Sequence, residues 1–201
     1  DTSIRLVLAG DLQAQCTASG YALRELGVPF AGLFGACSTM AEAVGLGAAL
    51  CHAGLADGLL AMTSSHFCTA ERQFRTPLSY GAVRTPTAQW TATAAGCCLL
   101  RPVGQGVSVA AVTFGRVQDY QIKDINNMGA AMAPAAAATL LHYLKDTGEE
   151  PKNFDAVYTG DLGQVGSRMF REILTAEGLV MKNHIDCGCI LYDAEHQAVK
   201  S

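Results

Sequence analysis

The sequence has no block of basic residues, no apolar run of membrane-spanning length, no Cys-x-x-Cys pair and no short internal repeat. Each absence excludes something. Net charge is −4, from 14 basic and 18 acidic residues, and without a basic cluster nucleic-acid binding is disfavoured. The richest apolar stretch, Met40 to Gly58, is broken by Glu42, His52 and Asp57, so it does not read as a membrane span. No signal-peptide pattern stands at Asp1. The opening Ile4–Ala9 is already strand-like, which leads us to expect a segment before it. Cys187-Gly188-Cys189 is the nearest approach to a metal motif, but a structural zinc site needs a second pair of ligands. His184 and His196 fall at irregular spacing, and the reading is a strand carrying two thiols.

What is present describes a core-forming chain. Its 201 residues are 50% hydrophobic, enough for a single domain with room for an internal pseudo-duplication. The eight cysteines sit mostly in apolar stretches, which points to reduced thiols in a cytosolic compartment. Strand and helix patterns alternate. Strands are expected over Ile4–Gly10, Phe30–Ala36 and Gly58–Thr63, with helices over Ala14–Leu26 and Ser38–Ala53, the spacing of parallel βαβ units. Ser64–Arg84, with Pro77 and Gly81, reads as a long loop. Gln89–Leu100 and Gly106–Gly115 read as strands joined by a turn and paired antiparallel. Asn126–Lys145 reads as a helix with Pro134 near its first position, followed by a strand over Phe154–Gly160, a helix over Val165–Glu177 and a last strand over Asp186–Tyr192. The scheme begins a second time after Asn126, so residues 1–125 are expected to form one βαβ half and residues 126–201 an incomplete second half.

Cys37 stands where an apolar strand, Ala31–Ala36, gives way to a helix of small residues. A thiol there faces unsatisfied N–H groups and the positive end of the helix dipole, which favour an anion and can activate a cysteine. It is equally readable as a small buried hydrophobe.

Gly35-Ala36-Cys37-Ser38-Thr39 resembles the thiolase superfamily, which places a cysteine between a strand and a buried helix. Four longer runs are more specific: Thr63-Ser64-Ser65-His66-Phe67, Thr69–Arg75, Asn127–Ala137 and Thr159–Ser167. Together these resemble the stage V sporulation protein AD family. The resemblance implies an α/β, thiolase-like layered αβαβα fold, here in a partial version with mixed sheets. It also implies a protein that is not an enzyme, binds dipicolinic acid, taken as its calcium chelate, and supports its uptake into the forespore. The implied partners are dipicolinic acid, the other stage V sporulation A subunits at the membrane and a second copy of the chain, with no nucleic acid. No cofactor is implied beyond calcium carried in with the acid. The implied location is cytoplasmic, held peripherally at the forespore or spore inner membrane through partners. In thiolase-like synthases a strand ends at a catalytic His before a helix. The matching strand end here, Tyr158-Thr159-Gly160-Asp161-Leu162, has no His. The alternative reading is a thiolase or 3-oxoacyl-acyl carrier protein synthase III-like acyltransferase using Cys37. Relative to the family the chain is expected to lack both an opening segment and a closing one.

The ligand-binding candidates are Cys37, Ser38, Thr39, Ser65, His66 and Arg72. A flat dicarboxylate needs N–H or hydroxyl donors, an Arg and an apolar slot. Ser38 and Thr39 supply donors or serve as ordinary helix caps. Ser64, Ser65 and His66 follow a strand end, where α/β sheets hold ligands, yet His66 also reads as structural. Arg72 and Arg75 form a carboxylate clamp or else a surface or subunit contact, with Phe74 beside them. Asp161 approaches calcium or simply turns the chain into a helix. Trp90 reads as core or interface.

Overall fold

The structure, a computed structural model, describes residues 3–13, 16–74, 85–193 and 195–197, with only the backbone of 72–74. The chain divides into two compact units: residues 1–81 with 91–112, and residues 82–90 with 113–201.

The first unit is built on strands β1 (Leu6–Asp11), β2 (Phe30–Gly32), β3 (Leu59–Ser65) and β4 (Ala94–Leu100). They lie in the order β2-β1-β3-β4. β1 runs parallel to β2 and β3, and β4 is antiparallel to β3, so the sheet is mixed as expected. Helix α1 (Thr17–Leu23) follows β1, and α2 (Thr39–His52) follows β2. Alternation along the strands sorts side chains onto two faces. Leu8, Leu59 and Ala61 join Ala43 and Cys51 of α2 in one cluster, while Val7 and Ala9 join Leu23 of α1 in another. A parallel centre covered on both faces explains why β1 is apolar at nearly every position. α2 lies close because it is made of small residues. A Cβ on Gly47 would stand 2.6 Å from a Leu100 methyl and 2.9 Å from one of Leu59.

The second unit pairs a long helix, α4 (Met128–Thr147), with α5 (Gly163–Ala176). The two helices bury Ala133, Ala137, Phe170 and Leu174 together with Leu162 and Met181. Strands β5 (Val157–Thr159) and β6 (His184–Asp186) form a parallel pair, and a short helix, α6 (Cys187–Leu191), follows.

The structure corrects several expectations. Residues 67–74 of the supposed loop form a helix, α3 (Phe67–Phe74), and residues 75–84 lie outside the described residues. Residues 106–115 form no strand ladder among the described residues, and the antiparallel partner of β4 is β3. Trp90 is half-buried and lies outside any strand. Pro134 lies inside α4, because the Asn127 side chain accepts from the Ala130 N–H at 3.1 Å and starts the helix further upstream. The expected last strand over Asp186–Tyr192 ends at once: Asp186 accepts from the Cys189 N–H and turns Cys187-Gly188-Cys189 into helix.

Candidate functional site

Cys37 lies in a single 3₁₀ turn, Ala36–Ser38, between β2 and α2. Ala36 enters it at φ 49°, a left-handed conformation costly for a residue with a Cβ. Several bonds hold it there. The Ser38 N–H and hydroxyl both donate to the Gly35 carbonyl, at 3.0 and 2.8 Å. The Thr39 hydroxyl donates to the Ala36 carbonyl at 2.8 Å and accepts from the Gly35 N–H at 3.1 Å, with Thr39 fully buried. Ser38 and Thr39 are therefore not the side-chain helix caps the sequence suggested, since Ser38 makes no cap bond; their hydroxyls brace the strained turn instead. The thiol of Cys37 is half-buried there. Glu42, in the first turn of α2, reaches back to the residue before the turn: its Oε2 lies 2.9 Å from where a Cβ on Gly35 would stand. A carboxylate so placed opposes the anion preference of the helix start.

The carboxyl ends of the parallel strands gather other candidates along the same sheet edge. At the end of β3 the Ser65 hydroxyl donates to the Ala92 carbonyl at 2.7 Å, and the Ser64 hydroxyl donates to Asp11 at 2.9 Å. His66 is exposed and its carbonyl starts α3, accepting from Thr69 and Ala70. The side chain of Arg72, with those of Phe74 and Arg75, lies outside the described residues. Behind this edge Asp11 is 3% exposed and accepts from the Ala18 N–H (2.8 Å), the Ser19 N–H (3.1 Å) and the Ser19 hydroxyl (2.6 Å). Cys16, at the start of α1, donates to the Leu33 carbonyl, and burial followed by the nearby Asp11 charge pushes its thiol pKa up.

A second polar cluster lies in the other unit, at the ends of β5 and β6. Asp186 is 3% exposed and accepts from the Thr159 hydroxyl (2.7 Å), the Leu162 N–H (3.0 Å), the Gly163 N–H (3.0 Å) and the Cys189 N–H (3.3 Å). Thr159 gives its one proton to Asp186, so the 2.8 Å contact to His184 Nε2 has the imidazole as donor. That fixes the Nε2–H tautomer and leaves Nδ1 to accept from the Ser167 hydroxyl at 3.5 Å. The ring packs on Phe170 at 4.6 Å between centroids. Burial holds the His184 pKa down, Asp186 opposes it, and Arg171 adds to it. Asp161 turns the chain at φ 59°, and its carbonyl accepts from Gln89 at 2.7 Å.

Sequence reasoning found no histidine after β5, and none follows it; the imidazole arrives from the neighbouring strand. The register that pairs Val157 with His184 and Thr159 with Asp186 brings it there. The one available signal was the spacing His184-x-Asp186, which puts both side chains on one side of a strand. Cys187 is exposed, and burial of its sulfur followed by the charges of Asp186 and Asp161 pushes its pKa up, away from thiolate chemistry. No group of three or more His, Cys, Asp or Glu side chains among the described residues is placed to hold a metal. No helix among them is long and apolar enough to cross a membrane.

Comparison with known proteins supplies the context. The model of the family "Stage V sporulation protein AD (SpoVAD)" matches residues 1–201. Stage V sporulation protein AD of Bacillus subtilis (strain 168) is 42% identical over 195 residues, covering 96% of this chain. The chain spans 58% of that relative's length. Among solved structures, 3-oxoacyl-[acyl-carrier-protein] synthase III from Aquifex aeolicus VF5 superposes with a TM-score of 0.60 at 12% identity, over 91% of this chain and 61% of that one. The tetronic acid condensing enzyme AbyA1 superposes with a TM-score of 0.58 at 17% identity, over 92% of this chain and 64% of that one. At such identities these likenesses speak for the fold alone, which is α/β and thiolase-like. On the match along its whole length, the chain belongs to the Stage V sporulation protein AD family.

Proposed function

We propose that the chain carries the ligand site of a non-enzymatic protein that binds dipicolinic acid at the Cys37 turn and supports its uptake into the forespore. One observation carries this reading: in a sporulation family with an enzyme-like fold, Ala36 beside the thiol is left-handed, in a turn braced by side-chain bonds from Ser38 and Thr39. Strain that the surroundings keep in place is the mark of a ligand or reaction site. On this reading the anion lies against the turn and the positive end of α2. The reading extends to calcium entering with the acid, to a homodimer, and to contact with other stage V sporulation A subunits that hold the protein at the membrane.

A second reading is favoured by one observation, the presence of His184 at the start of β6 with its Nε2 2.8 Å from the Thr159 hydroxyl that ends β5. An imidazole held as its Nε2–H tautomer is a hydrogen-bond donor of the kind acyl-transfer sites use; the second reading is an acyltransferase with Cys37 as nucleophile. Two measurements separate the readings. Calorimetric titration of dipicolinate, with and without calcium, into the protein and its Cys37→Ala variant should show binding that the variant weakens without unfolding. Mass spectrometry after incubation with acyl-CoA should show no added acyl group on Cys37. A trapped thioester establishes the acyltransferase, and unchanged affinity in Cys37→Ala removes the site assignment.

A further inference from the structure

We draw no further inference here: the strongest candidate, the irregular segment of residues 113–127 that leads into α4 and exposes Phe114 and Val117, is an apolar surface for which nothing in the structure shows what covers it.

Discussion

Replacing Asp186 by Asn changes one atom's chemistry at a position that four donors address. The carboxylate takes the Thr159 hydroxyl and the Leu162 N–H on one oxygen, and the Gly163 and Cys189 N–H groups on the other. An amide keeps one oxygen and turns an NH₂ toward the other pair, so two donors lose their acceptor whichever way it sits. A hydrogen bond to a charged group contributes about 1.5–3 kcal/mol, and a donor left unsatisfied in a buried place costs about 1–3 kcal/mol. Counting two lost bonds at the lower figure gives a loss of about 3 kcal/mol. For a chain of this size that lowers the melting temperature by roughly 6–12 °C. Urea unfolding followed by circular dichroism should show the lower midpoint at an unchanged slope. Thr159→Val is the partial control: it removes one donor to Asp186 and the acceptor of the His184 N–H, leaves three backbone N–H groups on Asp186, and should cost about 1.5 kcal/mol at the same lower figure. Asp57→Asn is the surface control, since that side chain is 71% exposed. If Asp186→Asn costs no more than Asp57→Asn, the claim that this carboxylate fastens α5 and α6 to the sheet is refuted.

Three other outcomes are expected. The folded state holds His184 neutral below its ordinary titration range, so acidification through about pH 6.5 protonates the unfolded chain first. Stability is then full above that pH and falls as pH is lowered toward the folded-state value; His184→Gln should flatten this part of a melting temperature against pH profile, and an unchanged profile would rule the residue out as its cause. Gly166→Ala sets a Cβ 2.8 Å from the Gly129 Cα and 3.1 Å from its carbonyl oxygen, both backbone atoms, so α4 and α5 must part. Overpacking of this kind costs about 1–3 kcal/mol, more than the helix-propensity gain of about 1 kcal/mol, and the urea midpoint should fall. Glu42→Gln removes the carboxylate beside Gly35 at the entry to the Cys37 turn and should tighten dipicolinate binding several-fold in low salt, by calorimetry; weaker binding would show that Glu42 helps hold the ligand.

The parts of the molecule that were legible in the sequence are those fixed by short-range pattern. The passage from β2 into α2 was readable because apolar residues give way to Ala, Gly and a first-turn Glu42, and the thiol was placed at that junction correctly. What the pattern could not carry was the geometry inside the junction. Nothing local says that Ala36 adopts a positive φ, or that the Ser38 and Thr39 hydroxyls turn back onto carbonyls instead of forward onto N–H groups. Local alternation also misled. Gly106–Gly115 has the composition of a strand, but a strand exists only against a partner, and among the described residues β4 pairs with β3 and not with this segment. The segment Asp186–Tyr192 looked extended because its residues are apolar and small, whereas a single Asp at its head captures the Cys189 N–H and selects helix. His184 was noticed only as an irregularly spaced metal ligand. Its setting comes from pairing across residues 159 and 186, a separation over which neither periodicity nor spacing carries information.

The two units nevertheless share one device, and it explains why their polar clusters sit where they do. In each, the last residue of a parallel strand is an Asp that is 3% exposed: Asp11 ends β1 and Asp186 ends β6. Each is paired in register with a hydroxyl residue of the adjacent parallel strand, Asp11 with Ser64 and Asp186 with Thr159, and accepts that hydroxyl's proton. Each then accepts two backbone N–H groups at the start of a helix, Ala18 and Ser19 of α1 in one unit, Leu162 and Gly163 of α5 in the other. A buried carboxylate is tolerable only when its oxygens are filled by donors, and a helix start is a ready supply of them. The arrangement therefore fixes three things at once: the strand register, the position of the helix start, and the charge of the group between them. It leaves the next turn along the edge free to take a different form. In the first unit that turn follows β2 and carries Cys37; in the second the adjacent strand β6 carries His184. The buried carboxylate recurs while the residues near it differ, a thiol in the first unit and an imidazole in the second.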